Sequence, residues 1–276
     1  MRKIFLALTV MLVAFTSAFA QVKEGKLIYE RKINMYRMIT DPEMRARIPE
    51  FRTEKFELLF NEQASMFKTI PEEEAPDPFA NSGGGGERGG MRFNFRMPET
   101  AMYTDIPNQM QYEARSLFEK DFLIVDSLKP INWKLSDETK TIAKFVCKKA
   151  TTMITPQQMN MRFGGGGRNR NNTDTAAPVK PKEEELVVWY TESIPVSVGP
   201  DTYAGLPGAI LEVNSGNGGN VITASEFTAK YAAKELKQPT KGDKMNRAQF
   251  AESMKKIMED MQRGGGMGGM RIRINQ

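Results

Sequence analysis

Gly205-Leu206-Pro207-Gly208-Ala209-Ile210-Leu211-Glu212-Val213 is a corner followed by a buried extended run. Pro207 holds its own φ near −65°, the value required at the second position of a type II turn. Gly208 then supplies the positive φ of the third position. Leu206 precedes a proline and is driven toward extended backbone. Ala209, Ile210, Leu211 and Val213 carry one charge among them, Glu212, which is the pattern of a strand covered on one or both faces. The turn-rich stretch 214–220 (NSGNGGN) separates this run from Val221-Ile222-Thr223-Ala224, and the pair reads as a hairpin.

Working outward, alternation recurs. Leu27, Tyr29, Ile33 and Met35 alternate with Ile28, Glu30, Lys32 and Asn34, the mark of a half-buried strand. Phe56, Leu58 and Phe60 do the same, and Asn61 to Ala64 turn the chain into Ser65–Lys68. Residues 110–118 and 120–126 read as consecutive strands. Trp133–Leu135, a turn at Asp137-Glu138 and Thr141–Ala150 read as a further hairpin, and Leu186–Thr191 as a central strand. A short helix is expected from Asp41 through Arg47. Residues 245–262 place Phe250, Met254, Ile257, Met258 and Met261 on one helical face, ended by Gly264-Gly265-Gly266. The fold class expected is mainly β: an antiparallel meander sheet shaped as a curved half-barrel, with a C-terminal amphipathic helix and long Gly-rich loops. A closed barrel and a sandwich are the alternatives.

Residues 1–20 read as a signal peptide, with Met1-Arg2-Lys3 before an apolar run and Ala18-Phe19-Ala20 before a cut between Ala20 and Gln21. The remainder divides into a β-rich domain, 21–240, and a helix with a Gly-rich tail, 241–276. Two flexible insertions interrupt the domain at about 72–98 and 156–182, where glycine runs and Pro/Lys/Thr-rich sequence cannot build a core. No segment after the signal is apolar enough to span a bilayer as a helix.

Composition removes several chemistries. Histidine is absent and Cys147 is the single cysteine, which excludes Ser-His-Asp catalysis, histidine-based metal sites and an intramolecular disulfide. Cys147 is expected as a small buried hydrophobe. The glycine runs lack the Gly-Lys-Ser/Thr ending of a phosphate loop, and 39 basic against 34 acidic residues give no reason to expect nucleic acid as partner. Glu192, Asp201 and Glu212 flank the corner and are the candidate acid–base carboxylates. Methionine, at 19 residues, is in excess. Met91, Met97, Met102, Met159 and Met161 lie in or beside the insertions and are the candidate ligands of a soft metal, copper(I); packing is the alternative use of thioethers. Trp133, Trp189 and Tyr190 are core aromatics or the wall of an apolar ligand site. Thr175, in Asp174-Thr175-Ala176, is a candidate O-glycan acceptor.

Tyr29-Glu30, Ile131-Asn132-Trp133-Lys134-Leu135, Glu138-Thr139-Lys140, Cys147–Ala150, Trp189-Tyr190-Thr191, Ile194-Pro195, Gly199-Pro200 and the Gly205–Val213 corner occur in one order. That order resembles the GLPGLI family of exported proteins from Bacteroidota, with Ala209 where the family's name has leucine. The resemblance implies a periplasmic or outer-membrane-associated protein of unknown function, a companion of outer-membrane transport systems, and supplies no catalytic residues and no cofactor. The function expected is therefore binding: an envelope accessory protein that holds an apolar ligand or an envelope protein such as an outer-membrane transporter. A Met-rich copper-binding protein and a carboxylate-dependent hydrolase are the alternatives.

Overall fold

The computed structural model describes residues 22–37, 42–46, 48–71, 100–117, 120–155, 183–231 and 233–263. Residues 1–21, both insertions and the tail after Arg263, and with them Met91, Met97, Met159, Met161, Thr175, Ala20 and Gln21, lie outside the described residues.

The strands are β1 (Gly25–Asn34), β2 (Phe51–Phe60), β3 (Ala64–Thr69), β4 (Thr100–Asp105), β5 (Met110–Leu117), β6 (Lys120–Ser127), β7 (Lys134–Ile142), β8 (Phe145–Ile154), β9 (Glu184–Thr191), β10 (Ala209–Ser215), β11 (Asn220–Thr228) and β12 (Asp243–Met245). They form one open sheet in the order β12-β6-β5-β4-β3-β2-β1-β11-β10-β9-β8-β7. Two meanders, β1 to β6 and β7 to β11, are joined by the antiparallel pairing of β1 with β11. Neither a closed barrel nor a sandwich is formed by the described residues. Helix α1 (Pro42–Arg45) is one turn, and α2 (Arg247–Arg263) is the long C-terminal helix. Asn246 and Gln249 cap α2 reciprocally: each side chain accepts the other's backbone N–H at 2.9 Å.

Strand β4 follows the first insertion directly and had no separate signal of its own. The β7–β8 turn also differs from expectation. It falls at Ala143-Lys144, both with positive φ (47° and 73°), the geometry of a two-residue hairpin. Asp137 and Glu138 instead sit inside β7, where the pairing register shifts. Neither Ala nor Lys advertises a left-handed turn, so the more polar pair drew the assignment.

The register defines one face of the sheet. Leu27 pairs across to Leu58, Phe67, Met102, Glu113 and Ile124 in one row. The next row runs Ala224, Tyr29, Phe56. This face carries the main core, and the connection between β9 and β10 lies against that core. Ile194, Val196, Val198 and Leu206 of that connection are all at most 4% exposed. The opposite face is covered at the other end of the sheet because the sheet curls. Lys140 on β7 reaches Glu212 on β10 at 2.6 Å, although three strand spacings would hold them about 14 Å apart in a flat sheet. Strand β10 is thus buried on both faces, as its apolar run requires.

Residues 229–231 and 233–242 lead from β11 past β2 and β3 to β6. Asn61 donates to the Tyr231 hydroxyl, Lys68 pairs with Glu235, and Lys241 pairs with Asp121. Strand β12 then pairs in parallel with β6, and α2 follows on the core side, where Phe250 meets Phe122 edge-to-face at 5.4 Å.

Candidate functional site

The corner is built differently from a type II turn. Gly205 carries the positive φ, +91°, and Gly208 does not. Gly208 is required for space: a Cβ there would stand 2.0 Å from the Thr191 carbonyl oxygen. The conformational and steric demands are thus split between the two glycines. Leu206 is buried and Pro207 exposed. Ser197 accepts the Gly205 N–H on its hydroxyl at 2.8 Å, and Trp133 donates its indole N–H to the Ala204 carbonyl at 2.9 Å. Trp133 therefore braces the corner from β7's start.

The other aromatics are structural in their contacts. Tyr190 is 2% exposed within the core. Trp189 lies on the opposite face, with the Lys140 ammonium 4.5 Å above its ring. Met102 is packed in the core among Phe67 and Leu58. The three candidate carboxylates are not assembled: Glu192 pairs with Lys148, Asp201 with Arg31, and Glu212 with Lys140 and the Thr223 hydroxyl. Among the described residues no three His, Cys, Asp or Glu side chains are grouped for a metal. Cys147 is buried, and burial pushes its thiol up to about 11.

A different cluster lies beside the corner. Arg31, on the core face of β1, binds Asp201 of the corner connection and stacks 4.6 Å over Phe56. Asp201 itself has a left-handed φ of 54°. Glu54 faces Arg31 from β2, with Arg31 Nη1 3.9 Å away and Arg52 Nη2 3.0 Å away. Neither guanidinium is aligned to hydrogen-bond it, so both Glu54 oxygens and Arg31 Nε are buried without a hydrogen-bond partner. Tyr203 completes the cluster; burial, then the Asp201 charge, raises its phenol above the usual range.

One pleat farther along the same face, about 7 Å, Arg52, Ile33, Asn220 and Ser215 form a row across β2, β1, β11 and β10. Ile33, Asn220 and Ser215 line an open cleft of about 850 Å³ at the end of the sheet, closed by Glu184, Glu185 and the β10–β11 turn. The Arg37 guanidinium fixes that turn through the carbonyls of Gly216 and Asn217, and Glu184 accepts the Gly216 N–H at 3.2 Å. Asn220 Oδ1 is buried and unpartnered at the cleft wall. Sequence reading missed Arg31 and Glu54. The available signal was a charge at each inward position of two strands, Arg31 after Leu27 and Tyr29, and Glu54 before Phe56 and Leu58.

The segment holding the corner has relatives. Residues 133–212 match a family model described as a protein of unknown function (Porph_ging). The match starts at Trp133, which braces the corner, and ends at Glu212 on the strand the corner feeds. Two solved structures of PNGF-II, in space groups P21 and C2, share the fold with a TM-score of 0.51 each. They are 12% and 14% identical and align over 85% and 84% of this chain. The chain spans about a third of their length, 33% in each case. Identities this low concern the fold alone. No curated protein matches this chain.

Proposed function

We propose that this chain is an exported envelope protein of the GLPGLI type that acts by binding, and that its binding surface is the cleft at the end of the sheet beside the Arg31–Glu54 cluster. The observation that carries the reading is Asn220 Oδ1, buried without a hydrogen-bond partner in the cleft wall; both Glu54 oxygens and Arg31 Nε are likewise buried and unpartnered, but lie outside the cleft lining, one pleat away. Such a group costs on the order of 1–3 kcal/mol when left unsatisfied, so an acceptor kept at a cleft wall favours a ligand or ordered water that satisfies it. An apolar ligand on the core face is disfavoured, because Ile194, Val196, Val198 and Leu206 already fill that face. A periplasmic or outer-membrane setting, and an outer-membrane transport system as the partner, rest on the signal-like residues 1–20 and on the order of motifs.

The hydrolase alternative keeps one supporting observation. Arg31 touches Asp201 and faces Glu54, which places two carboxylates on one guanidinium. The copper reading loses Met102 to the core.

The test is capture from envelope extracts with the wild-type chain and a cleft-filled variant, Asn217→Arg with Glu185→Lys. Recovery of the same partner by the wild-type chain and its loss in the variant supports the reading. Equal recovery by both removes the cleft as the binding surface.

A further inference from the structure

One guanidinium on the inner face of the sheet has two carboxylates beside it, and the two belong to different elements: Asp201 to the β9–β10 connection and Glu54 to β2. We infer that the turn 200–203 is a two-position latch, closed while Arg31 holds Asp201 and released when Arg31 turns to Glu54. The latch is independent of what the cleft binds.

The closed position leaves bonding capacity unused. Asp201 is the second residue of a turn closed by the Tyr203 N–H on the Pro200 carbonyl at 3.2 Å, and its φ of 54° lies in the left-handed region that side chains disfavour. Arg31 holds it there by an ion pair. Arg31 Nε and both Glu54 oxygens are meanwhile buried without a hydrogen-bond partner. Three strong bonding atoms thus go unmet on two residues that face each other.

Glu54 is placed to compete. It stands directly opposite Arg31 in the β1–β2 register, with Oε2 3.9 Å from Arg31 Nη1. A rotation of the guanidinium across that gap sets Nε and one Nη against the two carboxylate oxygens, the parallel two-bond geometry of strong arginine–carboxylate pairs. Asp201 loses its partner in the exchange. Its side chain is already 36% exposed, against 10% for Glu54, so water takes over its oxygens, and its backbone leaves the left-handed region. One charge-assisted pair is replaced by another of similar strength, the condition under which both positions are populated. Arg52 Nη2, 3.0 Å from Glu54 Oε1, draws the carboxylate the other way and favours the closed position.

The motion is confined to the turn. Val198 and Leu206, on either side of it, are 2% and 3% exposed, and Trp133 fixes Ala204 through its carbonyl. Release uncovers Arg31 and the Phe56 ring 4.6 Å from it, one pleat along β1 from Ile33 of the cleft wall.

The test is amide hydrogen exchange by NMR on the purified full chain. It is read at Tyr203 in the turn, at Ile210, whose N–H is held by the Val198 carbonyl at 2.8 Å on the fixed side, and at Ile124 in the β5–β6 hairpin as a monitor of global opening. Asp201→Asn removes the closed-position charge and is expected to speed exchange at Tyr203 at least tenfold, with Ile210 and Ile124 unchanged. Glu54→Gln removes the competitor and is expected to slow Tyr203 at least threefold. A cluster that only supports the fold loosens in both variants, so the opposite signs identify the latch. Faster or unchanged exchange at Tyr203 in Glu54→Gln overturns it, as does an Asp201→Asn rate that is unchanged or rises equally at Ile124. Should Glu54→Gln fail to fold, Arg52→Gln decides: with Glu54 free to turn to Arg31, exchange at Tyr203 rises at least threefold, and no rise overturns the latch.

Discussion

The Tyr29 hydroxyl donates a 2.6 Å hydrogen bond to the carbonyl of Ile210, crossing over β11 to join the first meander to the strand that the corner feeds. Tyr29 is fully buried, and burial raises its phenol far above the ordinary tyrosine range, so it remains a donor at all physiological pH. Tyr29→Phe keeps the ring, its edge contact with Phe67 and its volume, and removes only the donor. The Ile210 carbonyl is then left without that partner. The expected loss is about 1–3 kcal/mol in urea denaturation, with the slope of the transition unchanged.

The two glycines of the corner should rank in the reverse of their φ angles. Gly205→Ala meets nothing closer than 3.7 Å and suffers mainly the left-handed backbone, about 1 kcal/mol. Gly208→Ala drives a methyl into the Thr191 carbonyl and forces the corner off β9, at about 3 kcal/mol or more. Thermal denaturation of the pair checks the order. A larger loss at Gly205 would show that φ and not space governs the corner.

Glu113 is 1% exposed on the core face of β5, where Arg115 and Arg247 both reach its carboxylate, the latter at 3.3 Å. Arg247 is the first residue of α2, and its backbone N–H also points to Asp126. Removing the buried acceptor leaves guanidinium charge unpaired at the helix start. Glu113→Ala should destabilise by about 3 kcal/mol or more. In hydrogen exchange the gain should be concentrated in residues 241–263, with β1, β10 and β11 retaining their protection. Uniform loss of protection would mean that Glu113 supports the whole sheet and not the helix alone.

Cys147 sets an alkaline limit. Its thiol is pushed up to about 11 by burial, against about 9 when unfolded. The folded chain therefore holds its proton more tightly than the unfolded chain in that window. The associated stability is complete below pH 9 and is lost as the pH rises to 11, at up to about 1.4 kcal/mol per pH unit. Cys147→Ala should flatten this part of the pH profile. The same burial predicts slow reaction with a thiol reagent at pH 8 in the native state, and rapid reaction once denatured.

Much of this architecture was legible as pattern. Alternation located β1 and β2, apolar runs located β9 and, after Pro207, β10, and NSGNGGN located the hairpin to β11. These are signals a strand carries within its own few residues, because side chains point to alternate faces and turns need particular backbone angles. Ala143-Lys144 was missed because a turn can be imposed by its flanking strands on residues that do not favour it. The Arg31–Glu54 pair was missed for a related reason: each charge looks like an ordinary solvent-facing residue until its partner strand is known.

What the amino-acid order determined by itself was local: which segments extend, where glycine and proline allow the chain to bend, and which chemistries lack the residues they need. Tertiary structure alone decided that β11 returns to β1, that the sheet curls until Lys140 meets Glu212, and that Gly208 is needed for room and not for rotation. The physical reason is distance along the chain. Arg31 and Asp201 are 170 residues apart, and no short window contains the condition that brings a guanidinium and a carboxylate to one buried spot.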